Sequence, residues 1–104
     1  MTLVATANPW RELRAHMGLS QHACAAFLGV SLSCINQAEA GAVAFPGRLL
    51  TALEARIARL PAAGAPTDSA TARLRELVAG GFRVEELAAR YRCWRDRLAG
   101  REAV

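Results

Sequence analysis

A chain of 104 residues is long enough for one domain, or for one small domain with an appendage, and excludes a multidomain architecture. Ala, Leu, Arg and Glu dominate while β-branched residues are sparse, so the composition points to an all-α fold. The net charge is +4, and all thirteen basic residues are arginines, a mild balance that permits phosphate contacts without requiring them.

In chain order, residues 1–7 are small and apolar and read as a loosely ordered arm. Asn8-Pro9 opens a first helix to Met17, with Asn as N-cap and Pro at the first helical position. Trp10, Leu13 and Met17 fall on one face of it, and Gly18 ends it. Ser20 caps a second, two-turn helix over 21–28 whose inner face is Cys24, Ala25 and Leu28. Gly29 breaks that run, Val30 fills the angle, and Ser31 caps a third helix from Leu32 to about Ala40, stopped by Gly41. Two short helices around a glycine turn form a helix-turn-helix signature, and neither is stable alone. After a loop over 42–45, Pro46 opens a fourth helix to about Leu60. Its apolar stripe is Leu49, Leu50, Leu53, Ile57 and Leu60, with Arg48, Glu54, Arg56 and Arg59 mostly outside it.

Residues 61–66, with two prolines and a glycine, read as a linker. Thr67 or Asp68 caps a fifth helix over about 69–79, with Leu74, Leu77 and Val78 apolar, and Gly80-Gly81 ends it. Phe82 and Leu87 have hydrophobic-staple spacing around the start of a sixth helix. Glu85 and Glu86 sit in its first turn, and Arg95 and Arg97 are expected near its end. Val84, Leu87, Ala88, Tyr91, Trp94 and Leu98 make a continuous stripe. The fifth and sixth helices therefore read as an antiparallel hairpin that needs either the fourth helix or a second subunit to cover it.

Cys24, Cys34 and Cys93 form no CxxC pair, and His16 and His22 lack partners at zinc spacing. There is no signal peptide and no apolar run near a membrane span of about 18 residues. The expectation is a cytoplasmic protein with reduced thiols, no metal, no cofactor and no membrane partner. No Ser/His/Asp or Cys/His arrangement, phosphate loop or paired carboxylates points to an enzyme.

Leu13, Arg14, Gly18-Leu19-Ser20-Gln21, Ala25, Gly29-Val30-Ser31, Ile35, Glu39 and Gly41 together closely resemble the lambda-repressor/Cro-like (XRE) helix-turn-helix family. The resemblance covers about Pro9 to Leu60. It implies a four-helix DNA-binding domain over residues 1–60, with a linker over 61–67 and the hairpin over 68–104 as an added element. It also implies that the third helix enters the major groove. The residue matching Gln21 contacts phosphate and braces that helix, and the residues matching Arg14 and Glu39 form a partly buried ion pair. Three departures stand out. Ala38 replaces the usual bulky residue and Cys24 the usual leucine, and the third helix carries no Arg or Lys to read guanine.

With Ile35 and Ala38 turned inward, Leu32, Ser33, Asn36 and Gln37 face outward and Cys34 lies at the side. Asn36 and Gln37 match the donor and acceptor of adenine, Ser33 suits a base or a phosphate, and Leu32 suits a thymine methyl. Arg11 and Arg48 are candidate backbone clamps. The expected function is sequence-specific transcriptional regulation on double-stranded DNA: an autoregulatory repressor, bound as a homodimer to an inverted repeat. Dimerisation is expected through Leu87, Tyr91, Trp94 and Leu98. A rival reading is an antitoxin or adaptor whose hairpin binds a partner protein. A second DNA reader in the hairpin is the weaker alternative, because Arg92-Cys93-Trp94 stands where a turn is needed.

Overall fold

The computed structural model describes residues 7–41, 44–62 and 64–103, the last three as backbone only. Most of the expected N-terminal arm, and parts of the loop after Gly41 and of the linker, lie outside the described residues. Six helices follow one another: α1 (Pro9–Met17), α2 (Gln21–Leu28), α3 (Leu32–Ala40), α4 (Gly47–Ala58), α5 (Ser69–Ala79) and α6 (Val84–Ala103). No strand occurs among the described residues, so the fold is all-α. No described helix is long and apolar enough to cross a membrane.

The helix starts follow from short polar side chains. The Asn8 Oδ1 accepts from the Trp10 and Arg11 amides, Ser20 Oγ from Ala23, Ser31 Oγ from Cys34, and Asp68 Oδ1 from Thr71. Each satisfies an amide that the first helical turn leaves without a partner. Backbone hydrogen bonding to Asp68 also holds its carboxyl below the usual value. α4 differs slightly from expectation. Pro46 is its N-cap rather than its first residue, and the helix stops at Ala58. Leu60 follows in a tightened turn, its amide bonded to the Ile57 carbonyl.

α1–α4 enclose Trp10, Leu13, Met17, Cys24, Leu28, Ile35, Ala38, Leu49 and Leu53, all buried. That core continues without a break into the second half of the chain. Leu74, Val84, Leu87, Tyr91 and Trp94 belong to the same cluster. α5 and α6 meet α1 and α4 more than they meet each other. The two arms expected to pair as an antiparallel hairpin are instead spread over the first four helices, and α4 is among the elements that cover them. The aromatic side chains show why. Trp10 of α1, Phe45 of the α3–α4 connection, Tyr91 and Trp94 form a chain of tilted rings with successive centroids 6.2, 5.0 and 5.3 Å apart. Such contacts add to plain area burial.

The assignment of Leu87, Tyr91, Trp94 and Leu98 to a dimer face is corrected by the same packing. Leu87, Tyr91 and Trp94 are 3%, 1% and 8% exposed within a single chain, and Leu98 packs against the same cluster. The need to cover the stripe is met by α1, α3 and α4. α6 also runs on to Ala103, beyond the end expected near Arg97.

Arg56 was placed mostly outside the α4 stripe, yet it joins three helices. Its guanidinium carbon lies 4.1 Å from the centroid of the Phe27 ring of α2, and its Nη2 donates to Thr71 Oγ1 of α5 at 3.1 Å. A guanidinium over a ring face is held by the ring quadrupole while its edge keeps donating hydrogen bonds.

Gly41 is required twice. Its φ of 72° is a left-handed conformation, and a Cβ added there would come within 2.6 Å of Trp94 Cζ3 and closer still to Cη2. Gly41→Ala is expected to cost about 2–4 kcal/mol, combining left-handed backbone strain with overpacking against a buried ring. Chemical denaturation checks this. Gly29→Ala, at φ 71° with nothing within 4 Å, isolates the backbone share.

Candidate nucleic-acid interface

α2 and α3 are joined by the turn Gly29-Val30-Ser31, in which Gly29 adopts the left-handed conformation that closes α2. Ser31 then starts α3 at once. This puts the α3 N-terminus at the surface, while Ile35 and Ala38 are fully buried. With 3.6 residues per turn, the opposite face carries Ser33, Asn36 and Gln37, and all three are exposed. Leu32 is half-buried beside them. Cys34, expected at the side, is turned into the core. Burial raises its thiol, against a smaller lowering from Arg48. Burial likewise pushes the Cys24 thiol up to about 11, so it stays protonated at neutral pH.

Arg48 is exposed and shares an open groove with Gly29, Val30 and Ser31, next to the start of α3. Arg11 lies toward the other end of α3, where its Nε is 3.6 Å from Glu39 Oε1 and its side chain is 64% exposed. The two arginines thus lie toward opposite ends of α3, the helix that carries Ser33, Asn36 and Gln37.

The end of α3 is built around Glu39, whose side chain is 4% exposed. Arg14 meets it with two donors, Nε to Oε2 and Nη2 to Oε1 at 3.0 Å. Gln21 Nε2 donates to the same Oε1 at 3.0 Å. The third guanidinium nitrogen of Arg14 donates to the Leu19 carbonyl at 2.9 Å. One carboxylate therefore binds α1, the start of α2 and the end of α3. Burial raises its pKa, but the hydrogen bonds from Arg14 and Gln21 and the charges of Arg14 and Arg11 outweigh that and hold it below the usual value. Gln21 spends its amide nitrogen on this brace.

Three further side chains meet the α3 C-terminus, and sequence reasoning did not place them there. Asn8 Nδ2 donates to the Ala38 and Glu39 carbonyls at 2.9 and 3.1 Å. The Tyr91 hydroxyl donates to the Ala38 carbonyl at 2.9 Å, and Arg95 Nε to the Gly41 carbonyl at 3.0 Å. Asn8 was legible as an N-cap, but its second role was not, and the two α6 residues carry no local signal.

The outer face of α3 is uncharged, and its donors and acceptors are two amides and a hydroxyl. Among the described residues no group of three or more His, Cys, Asp or Glu side chains is placed to hold a metal ion. No family model, curated protein or solved structure matches the chain.

Proposed function

We propose that the chain is a sequence-specific DNA-binding transcriptional regulator, with α2 and α3 as a helix-turn-helix and α3 as the helix that enters the major groove. The observation that carries this reading is the row Ser33, Asn36 and Gln37, exposed on a helix held at its far end by buried polar contacts and flanked by Arg11 and Arg48. Amide side chains present the paired donor and acceptor that adenine offers in the major groove, and flanking arginines supply phosphate contacts that set register. A single copy offers few such contacts, so two copies on an inverted repeat, with half-sites about 34 Å apart, supply the missing affinity. Promoter occlusion by such a pair makes the regulator a repressor, acting on its own gene. The pairing surface then lies away from Leu87, Tyr91 and Trp94. The rival reading, a partner-binding hairpin, loses its two aromatic anchors to the interior of the chain.

Selection of duplexes from a randomised pool tests the reading. The full chain is expected to enrich a defined sequence. Asn36→Ala and Gln37→Ala are each expected to weaken the enriched site by about 10- to 100-fold while leaving non-specific binding in place. Arg11→Ala and Arg48→Ala should instead weaken all duplexes and lower the salt slope by about one each. No enrichment, or full preference retained by both amide variants, overturns the reading.

A further inference from the structure

We propose that α6 is a positioning element for α3, with Tyr91 and Arg95 as positioning residues that fix the angle at which the outer face of α3 is presented. This rests on the reading of α3 as the DNA-contacting helix.

A helix leaves its last four carbonyls without intrahelical partners. In α3 the first of these, Gln37, is taken by the Gly41 amide. Ala38 is taken by Tyr91 and Asn8 together, and Glu39 by Asn8. At Gly41, just past the end of the helix, Arg95 takes the carbonyl and brings a cation to the negative end of the helix dipole. Trp94 lies against Gly41 so closely that no side chain fits between them. Nine residues are too few to hold a helix by themselves. The end of α3 is thus clamped by α6 on one side and by the start of α1 on the other, while its N-terminal turn carries the exposed Ser33.

The lever arm makes this matter. α3 is about 13 Å long, so a tilt of about 5° about its clamped end moves Ser33 by about 1 Å. That displacement takes a base contact out of hydrogen-bonding range, whereas phosphate contacts made by long arginines follow it. Loosening the clamp should therefore erode sequence preference before it erodes affinity for DNA in general.

The test uses the full chain with Tyr91→Phe, which keeps the ring, and with Arg95→Gln, at a temperature where circular dichroism shows each variant as helical as the parent. Amide hydrogen exchange at Ala40 and Gly41 is expected to accelerate by about 10-fold in each variant, with Leu74 of α5 unchanged. Affinity for the duplex selected by the parent is expected to fall by about 5- to 10-fold, with affinity for a scrambled duplex unchanged. Unchanged exchange at Ala40 and Gly41 overturns the clamp. Faster exchange with unchanged preference overturns its positioning role. A parent chain that selects no duplex overturns the DNA reading and the purpose assigned to α6, while the exchange measurements still decide the clamp itself.

Discussion

Glu39→Ala is expected to lower stability by about 3–5 kcal/mol, the range for removing one partner of a buried ion pair. The expectation rests on what remains. Arg14, with a side chain only 16% exposed, keeps its charge and loses two acceptors, and the Gln21 amide loses its partner as well. Arg14→Ala should cost less than Glu39→Ala, because Glu39 retains Gln21 at 3.0 Å and Arg11 at 3.6 Å. Replacing both by apolar residues, as in Arg14→Met with Glu39→Leu, should recover part of the loss by removing both charges from the interior. Recovery stays incomplete because the Leu19 carbonyl then lacks its Arg14 donor. Chemical denaturation of the four chains checks the order, and a loss below about 0.5 kcal/mol in both single variants rejects a structural role for the pair.

The pair also sets a pH dependence. The Glu39 pKa is lower in the folded chain than its ordinary value of 4.5. The unfolded chain therefore binds more protons at acid pH, and the contribution of Glu39 is fully present above 4.5. It is lost as the pH falls from there through the depressed folded value. Glu39→Gln should flatten this part of the acid limb, measured as melting temperature against pH.

A chain ending at Leu60 is expected to be unfolded rather than a folded monomer. The residues retained contain α1 to α4 whole, yet the cut removes Leu74, Val84, Leu87, Tyr91 and Trp94 from the shared core. It also uncovers Trp10, fully buried in the intact chain, and strips the Ala38 and Gly41 carbonyls of their α6 donors. A domain of about 60 residues is marginal even with a complete core, and loss of one large buried aromatic alone costs about 3–5 kcal/mol. Circular dichroism and the dispersion of amide resonances read the outcome. A cooperative melt of the truncated chain would show the second half to be separable after all.

The helices were legible because each is marked locally. Asn8, Ser20, Ser31 and Asp68 cap starts, and Gly18, Gly29 and Gly41 end helices, all through contacts with residues close in sequence. The α4 end drifted by two residues because no glycine stops it, and α6 ran longer because its one late glycine, Gly100, is carried inside the helix rather than ending it. The outward row on α3 was legible for the same reason, since 3.6-residue spacing assigns faces once Ile35 is inside. Cys34 was harder to place. At the edge between faces, its burial is decided by what packs alongside rather than by its own spacing.

The amino-acid sequence by itself determined where helices begin and end, which stripe of each is apolar and which side chains of α3 point outward. These depend on hydrogen bonds and steric preferences spanning a few residues. Only the tertiary structure decided what covers the α6 stripe. An apolar face demands burial but does not name its partner, and α1, α3 and α4 of the same chain meet that demand as well as a second copy would. The same holds for the end of α3. Its free carbonyls are certain from the helix alone, whereas Asn8, Tyr91 and Arg95 reach them from 30, 53 and 54 residues away in the chain.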